Sequence, residues 1–265
     1  MNTRKAWQLG SAPVEGLEFL WDRAVRFGMS VFETLAIHRG RPLFLEEHLL
    51  RLAKGSRDLL SVDASPFCEA AQSLPLPDRQ SGILRIYVTA GTGGLDEVCA
   101  SPNAFALFEE TEIFSSSPQG LTVQTDRAPV LPVPGGWKTG NYWANLRALQ
   151  SAKREGFDEA VLINPAGEVI SCATGNLFCV LRGRLITPAL SSGARDGVIR
   201  EWVLAQTGAE ESLLSIDDLA AAGEVFLTNS RLGIATVSSL DGRQLPPPIH
   251  AGPLAAAYRE KILHD

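Results

Sequence analysis

The stretch Trp137-Lys138-Thr139-Gly140-Asn141-Tyr142 decides how this chain is interpreted, because it sets a lysine in a glycine-containing turn directly before a helical run. A lysine in an apolar turn can be desolvated, and desolvation lowers its pKa towards nucleophilic, Schiff-base-forming chemistry. Taken alone, Lys138 fits a solvated surface lysine better, since most lysines are exposed. Its interpretation therefore depends on the segments around it.

The lysine turn is followed by Gly156-Phe157-Asp158-Glu159-Ala160-Val161-Leu162-Ile163-Asn164, and together they resemble the lysine segment of the fold-type IV pyridoxal-phosphate enzymes. That family includes branched-chain and D-amino-acid aminotransferases and 4-amino-4-deoxychorismate lyase. Four further segments resemble the family in the right order, from about Asp22 to Val237. They are Asp22-Arg23-Ala24 with Phe27-Gly28 and Val31-Phe32-Glu33-Thr34; His48-Leu49-Leu50-Arg51-Leu52; Thr187-Pro188 with Gly197-Val198-Ile199-Arg200; and Phe226-Leu227-Thr228-Asn229-Ser230.

The resemblance implies a mixed α/β (α+β) fold in two domains. We expect a small N-terminal α/β domain at residues 1–114 and a larger, barrel-like α/β domain at residues 121–265 that carries the lysine. The run Ser115-Ser116-Ser117-Pro118 is typical of a linker, which we place at residues 115–120. The family is usually homodimeric, so a homodimer is the expected assembly.

Hydrophobic periodicity predicts the main elements independently of the resemblance. The run Ser30 to His38 is rich in strand-compatible residues, and Leu45 to Leu60 changes to the helical period. The turn residues Asn164-Pro165-Ala166-Gly167 predict a hairpin between two apolar runs. Further predicted elements are helices at Phe67 to Leu74, Trp143 to Arg154, Val198 to Gln206 and Pro253 to Leu263, and strands at Ile83 to Thr89, Ala104 to Phe108, Leu121 to Thr125 and Val225 to Leu227.

Composition limits the partners of the protein. The 265 residues carry a net charge of −6, and the pI is near 5.3. This leaves no basic surface for nucleic acid or for an anionic membrane, so we expect a small-molecule amine substrate and a second copy of the chain as partners. The amino terminus lacks a signal-peptide pattern, which predicts a cytoplasmic enzyme. Cysteines and histidines are scattered without metal-ligand spacing, so no metal site is expected.

Pyridoxal 5'-phosphate needs an anion site for its phosphate. Gly197-Val198-Ile199 opens a predicted helix, whose free N–H groups can bind an anion, and Arg51 can add a bidentate pair. Ser230, or Asn229 beside it, corresponds to the family's further phosphate donor. The structural alternatives are an ordinary loop glycine, a solvated arginine on an amphipathic helix and a polar turn at the end of a strand.

The resemblance also assigns the reacting groups. Lys138 is expected to bond the cofactor covalently and then to act as the base that moves the substrate proton. Tyr142 stands where aminotransferase members carry the tyrosine that hydrogen-bonds the phenolic oxygen of the cofactor, although a plain core tyrosine is the alternative. Thr34 and Arg85 are candidate contacts for a substrate carboxylate. A role on the strand surface is the more common one for residues of this kind.

The chain departs from the family beside the ring nitrogen of the cofactor. The family carries a glutamate five residues before the asparagine of a small-residue turn, and this chain has Ser171 in that place, with Asn176 as the asparagine. A carboxylate favours the protonated, electron-withdrawing ring, whereas a serine hydroxyl only shares a hydrogen bond. Glu168 is three residues away, and on a strand that offset points it to the opposite face.

Ser171 bears on the reaction. Transamination must hold the electron pair released by the substrate until a proton is returned, whereas an elimination can expel its leaving group as the proton departs. A weaker electron sink therefore favours a lyase, and the best specific prediction is 4-amino-4-deoxychorismate lyase, which forms p-aminobenzoate and pyruvate. The segments Phe226 to Ile234 and Gly197 to Trp202 also resemble that lyase.

Other segments favour the alternatives. Met29-Ser30 replaces the usual Asp-Gly of the lyase, and Asn141-Tyr142 is more typical of aminotransferases. The first alternative is therefore a transaminase of amino acids or amines. The second is a homologue that has lost its chemistry and acts as a binding protein, which the serine at position 171 keeps open.

Overall fold

Two β-sheets, each in its own compact unit, form the framework of the computed structural model, which describes residues 3–10, 18–94, 96–98, 101–114 and 120–264. The first unit comprises Met1–Ile113 with Trp137–Tyr142, and the second comprises Phe114–Gly136 with Trp143–Asp265. The predicted linker, residues 115–120, lies outside the described residues except for Gly120. The lysine turn belongs to the first unit, whereas the predicted domain ranges group it with residues 121–265.

The first unit contains a five-stranded antiparallel sheet among its described residues, in the order β1-β5-β4-β2-β3. Three α-helices accompany it in the described part of the unit. The elements are β1 (Arg4–Leu9), α1 (Arg23–Phe27), β2 (Ser30–His38), β3 (Arg41–Pro42), α2 (Leu45–Leu60), α3 (Ser65–Gln72), β4 (Gly82–Thr89) and β5 (Ala104–Glu110).

Strand β2 shows why one face of this sheet is covered. Its alternate residues Val31, Leu35 and Ile37 belong to the buried core of the unit, together with Leu49 and Leu52 of helix α2. The predicted strand and helix are therefore confirmed at their predicted ends. The side-chain period of a strand is two residues, so Glu33 points to the same face as these apolar neighbours. A carboxylate in such a place must find partners.

The lysine turn joins the first unit through hydrogen bonds to β2. The N–H of Phe32 donates to the carbonyl of Lys138 at 2.9 Å, and the N–H of Gly140 donates to the carbonyl of Ser30 at 2.9 Å. A Cβ atom on Gly140 would lie 2.4 Å from the hydroxyl oxygen of Ser30. The turn therefore requires glycine at position 140, and it holds Lys138 beside the middle of the sheet.

The second unit contains a nine-stranded mixed sheet among its described residues. Its order is β11-β10-β9-β12-β13-β6-β7-β8, with β14 paired to β13. The elements are β6 (Leu121–Thr125), α4 (Trp143–Arg154), β7 (Glu159–Ile163), β8 (Val169–Cys172), β9 (Asn176–Leu181), β10 (Arg184–Pro188), α5 (Val198–Thr207), β11 (Glu210–Ser212), α6 (Ile216–Ala220), β12 (Glu224–Asn229), β13 (Gly233–Leu240), β14 (Arg243–Gln244) and α7 (Ala251–His264).

The paired strands β9 and β12 have one face in the apolar core and a pair of stacked aromatic rings on the other face. Leu177 and Leu227 lie in the apolar core of the unit. On the other face Phe178 stacks on Phe226, with the ring centroids 5.0 Å apart. The predicted hairpin of β7 and β8 and helices α4 and α5 are confirmed, whereas β13 was not predicted from the sequence.

Three cysteines lie in the described part of the chain and are free thiols. Cys172 and Cys179 are buried, and Cys68 is half-buried. The described residues contain no group of three histidine, cysteine or acidic side chains that could hold a metal ion. None of the helices in the described ranges has both the length and the apolar composition to cross a membrane.

Candidate active site

Lys138 is half-buried beside an aromatic ring of strand β2. Its Nζ lies 5.2 Å from the ring centroid of Phe32. The ring of Tyr142 meets the same phenylalanine edge to face, with the centroids 5.5 Å apart. The structure thus brings the predicted covalent lysine and the predicted tyrosine to one phenylalanine. Its apolar ring limits how much water can surround the lysine amine on that side.

A buried ionic cluster lies in the same unit and includes Arg51, the predicted phosphate ligand. Arg51 Nε donates to Glu33 Oε1 at 2.7 Å, and Arg51 Nη2 donates to Glu33 Oε2 at 2.7 Å. His48 Nδ1 lies 2.8 Å from the same Oε2. Glu33 and His48 are 2% and 1% exposed, so water does not solvate their polar groups. The carboxylate depends on these two neighbours.

The cluster keeps Glu33 ionised. Burial alone would raise the pKa of the carboxyl, but the charge and the hydrogen bonds of Arg51, with the hydrogen bond from His48, hold its pKa well below the usual range. A carboxylate that is already ionised only accepts hydrogen bonds, so the proton of the His48 contact lies on Nδ1. The arrangement fixes both the orientation of Arg51 and the tautomer of His48.

His48 is held neutral in the folded protein. Burial lowers the pKa of the imidazole most, Glu33 acts in the opposite direction, and the charges of Arg51 and Lys138 lower it further. The net pKa lies below the ordinary value for histidine. In the unfolded chain the imidazole regains its ordinary pKa of about 6.5 and takes up a proton at a higher pH than in the folded chain.

We therefore expect stability to fall as the pH drops through about 6.5, by up to about 1.4 kcal/mol per pH unit for one proton taken up on unfolding. Replacing His48 by glutamine should remove this part of the slope. The measurement is chemical denaturation between pH 7.5 and 5.5. His38→Gln serves as the control, because His38 is far more exposed and its substitution should change the slope less. Equal slopes for wild type and His48→Gln would contradict the prediction.

Thr34 and Arg85, the predicted substrate contacts, occupy the face of the first sheet that points away from helix α2. They stand directly opposite each other in the register of β2 and β4. Arg85 Nη1 lies 3.7 Å from Glu109 Oε2, and its side chain is 38% exposed. An exposed pair at this distance is weak, so the guanidinium is available to a competing carboxylate.

In the second unit the predicted helix α5 is present, and the anion site proposed at its amino terminus stays a prediction. Its N-cap is Gly197, which has no side chain to cap the N–H groups of the first turn. A Cβ atom at Gly197 would lie 2.0 Å from Asn176 Oδ1, so Asn176 packs directly against this terminus. Asn176 Nδ2 donates to the carbonyl of Arg195 at 2.7 Å, which fixes the loop before the helix.

The end of strand β12 lies beside Asn176, because Thr228 pairs with it in the strand register. The hydroxyl of Thr228 is buried and has no hydrogen-bond partner among the described residues. A buried hydroxyl is expected to have a hydrogen-bond partner in the functional protein. The predicted phosphate ligands follow: Asn229 donates from Nδ2 to Thr174 Oγ1 at 3.3 Å and accepts from the N–H of Leu232, and Ser230 is half-buried.

Ser171 lies on strand β8, opposite Leu162, and is 6% exposed. The carboxylate of Glu168 accepts a hydrogen bond from Asn164 Nδ2 at 2.7 Å, so it serves the hairpin turn. A second carboxylate, Glu159, accepts hydrogen bonds from the hydroxyl of Thr174 and from the N–H of Ala160. Burial raises the pKa of Glu159, whereas these hydrogen bonds lower it less. Both glutamates therefore have structural partners.

Known structures and a family profile support the fold-type IV resemblance that the sequence carries. An aminotransferase from Brucella abortus solved with bound pyridoxal phosphate superposes with a TM-score of 0.80 and 23% identity, covering 99% of each chain. The family profile described as amino-transferase class IV matches residues 30–240. The chain belongs to this family, and the predicted fold class is confirmed.

The relatives found by sequence are named either as aminotransferases or as a lyase. A branched-chain-amino-acid aminotransferase from Salmonella typhimurium is 28% identical over 245 residues, 84% of this chain and 79% of that protein. An aminodeoxychorismate lyase from Vibrio harveyi is 26% identical over 236 residues, 83% of this chain and 86% of that protein. The chain is therefore an enzyme of the class IV aminotransferase family, and the family identifies pyridoxal 5'-phosphate as its cofactor, as predicted.

Each unit by itself carries groups that suit such a cofactor. In the second unit the uncapped terminus of α5 and the unpartnered hydroxyl of Thr228 match the needs of a phosphate. In the first unit Lys138 supplies an amine. Sequence reasoning had assigned no role to Glu33, His48, Glu159 or Thr228. The segments that contain Glu33 and His48 carried the family resemblance, but only the fold shows that the two side chains meet.

Proposed function

We propose that this protein uses Lys138 to bind pyridoxal phosphate covalently and to move a proton on a small amine substrate. The observation that carries the proposal is the turn of Lys138, which is hydrogen-bonded to β2 beside Phe32 in the unit that also holds the ionic cluster of Arg51. When bound, the cofactor supplies an electron sink for the carbon next to the amine. The side chains around it must supply position and proton transfer.

Each remaining residue has a proposed role. In the first unit Arg51 contacts the phosphate, Tyr142 donates to the phenolic oxygen, and Thr34 and Arg85 receive a substrate carboxylate. In the second unit the N–H groups of Val198 and Ile199, with Asn176, Asn229 and Ser230, hold the phosphate end, and the hydroxyl of Ser171 serves the ring nitrogen. These assignments rest on the resemblance and on the positions described above.

For the reaction we propose elimination, with aminodeoxychorismate as the substrate and p-aminobenzoate and pyruvate as the products. The supporting observation is the pairing of nearby carboxylates: Glu168 bonds Asn164, and Glu159 bonds Thr174. Neither is thereby directed to replace the family's glutamate at position 171. A serine hydroxyl favours the protonated, electron-withdrawing ring less than a carboxylate does, and the weaker electron sink penalises transamination more than elimination.

A second candidate is transamination of amino acids, and the names of the relatives favour it. The sequence relatives, which are 26–28% identical, are named mostly as branched-chain aminotransferases, and Asn141-Tyr142 is more typical of aminotransferases. The two candidates share the cofactor and the role of Lys138. They differ in the fate of the electrons after the substrate proton has been removed.

One assay separates them. Purified protein is incubated with aminodeoxychorismate, and in parallel with branched-chain amino acids and 2-oxoglutarate, while pyruvate and keto acids are measured. We expect pyruvate and p-aminobenzoate from the first reaction and at least tenfold slower keto-acid formation in the second. Keto acid without any pyruvate would rule out the lyase and leave the transaminase. A homodimer and a cytoplasmic location also stay proposals.

A further inference from the structure

We propose that Glu33 is a positioning residue that orients Arg51 for the phosphate of the cofactor. The inference deepens the proposed function and depends on it, because it assumes that Arg51 contacts a phosphate. It assigns a role to a side chain that carries no proton and that lies on the covered face of its sheet. The reasons are the geometry of the pair, its burial and its position on two rigid elements.

The geometry is that of a two-point contact. Two parallel hydrogen bonds join Arg51 Nε and Nη2 to the two oxygens of Glu33, each at 2.7 Å. A planar guanidinium held at two points cannot rotate about its own bond without breaking one of them. Arg51 has a long side chain that otherwise adopts many rotamers, and ordering it costs entropy on binding. The pair removes that freedom before an anion arrives.

Both partners sit on regular structure. Glu33 lies near the middle of β2, where it pairs with Ile86 of β4, and Arg51 lies in the second turn of helix α2. His48, one helical turn earlier on α2, holds the carboxylate from a third direction. Loops would leave the arginine less precisely placed than a strand and a helix do.

Charge alone does not explain the cluster. Glu33 cancels the charge of Arg51, so a role limited to attracting anions would favour an arginine without a carboxylate. The carboxylate is also buried at a desolvation cost that apolar residues would avoid. The side chain of Arg51 is 17% exposed, whereas that of Glu33 is 3% exposed, so the arginine is the member of the pair that can reach a ligand.

The test compares two ligands that differ only in the phosphate. Apo protein is titrated with pyridoxal phosphate and with pyridoxal. The Kd for pyridoxal divided by the Kd for pyridoxal phosphate reports how much the phosphate contributes to binding. Glu33→Gln keeps the shape of the side chain and removes its charge. We expect it to weaken pyridoxal phosphate binding roughly tenfold, as for one lost charge-assisted hydrogen bond, and to leave pyridoxal binding unchanged.

Two further variants identify the path of the effect. Glu33→Asp, which keeps the charge, should restore part of the affinity for pyridoxal phosphate. In an Arg51→Gln background, Glu33→Gln should have no further effect, because its action passes through the arginine. Glu47→Gln, an exposed carboxylate on the same helix, is the matched control and should change neither affinity. If Glu33→Gln fails to fold, Glu33→Asp carries the test: its shorter side chain should weaken pyridoxal phosphate binding without changing pyridoxal binding, and unchanged affinity for both ligands would overturn the positioning role.

The outcomes separate this inference from the proposed function. Wild-type protein that binds neither ligand at Lys138 would overturn the proposed function. Wild-type protein that binds both, with the same Kd ratio in Glu33→Gln, would overturn the positioning role alone. Equal weakening of both ligands in Glu33→Gln would also overturn it, because that result indicates a general structural effect.

Discussion

Replacing Lys138 by alanine is expected to abolish activity, with a loss of more than about a thousandfold in kcat, because no other group is proposed to bond the cofactor and to move the proton. The structure places the lysine amine 5.2 Å from the ring centroid of Phe32, on a turn bonded to β2. An alanine leaves that turn intact, since its two backbone hydrogen bonds to β2 do not involve the side chain. We therefore expect the loss of kcat to come from the missing amine and not from a change in the fold.

Borohydride reduction gives a direct measurement of the same prediction. In wild-type protein loaded with pyridoxal phosphate, we expect reduction to fix the cofactor on the peptide that contains Lys138, as read by mass spectrometry. Lys138→Ala should show neither the fixed mass nor the absorption of the covalent form. Lys153→Ala, an exposed lysine at the end of helix α4, is the control and should behave as wild type. A labelled Lys138→Ala protein would contradict the assignment.

The fold was predictable from the sequence where local signals are strong. The alternating apolar residues of β2 and the helical period of Leu45 to Leu60 determined both elements at their observed ends. Strand β13 was not predicted, because the run Gly233–Leu240 mixes serine, threonine and apolar residues without a clear period. Its place in the sheet is set by pairing with β12 and β6, which no local pattern records.

In the candidate site, too, some residues were predictable from the local sequence and others were not. Lys138 and the terminus of helix α5 stand in contiguous segments, so the sequence alone could predict them. The cluster of Glu33, His48 and Arg51 joins residues 15 and 18 positions apart, on a strand and a helix that meet only after folding. From local periodicity, the structural alternative for Arg51 was a solvated arginine on an amphipathic helix. In the fold Arg51 instead forms an ion pair with the buried carboxylate of Glu33.

Replacing Gly197 by alanine is expected to weaken pyridoxal phosphate binding roughly a hundredfold, the effect of losing two charge-assisted hydrogen bonds. The backbone at this position has φ −84° and ψ 135°, which alanine adopts readily, so the substitution acts through its methyl group alone. That methyl would lie 2.0 Å from Asn176 Oδ1. The amide must move, and its hydrogen bond to the carbonyl of Arg195 holds the loop that leads into α5. The N–H groups of the first helical turn would then lose their alignment.

Titration of the apo protein with pyridoxal phosphate and with pyridoxal measures this effect, and only the phosphate ligand should lose its affinity. Gly252→Ala is the matched control, because a Cβ atom there meets no atom within 4 Å. The double variant Gly197→Ala with Asn176→Ala tests the cause: since the clash involves the amide, the double variant should bind no more weakly than Asn176→Ala alone. A further loss in the double variant would mean that the methyl group acts on the helix terminus directly. Unchanged affinity in Gly197→Ala would mean that this terminus does not bind the phosphate.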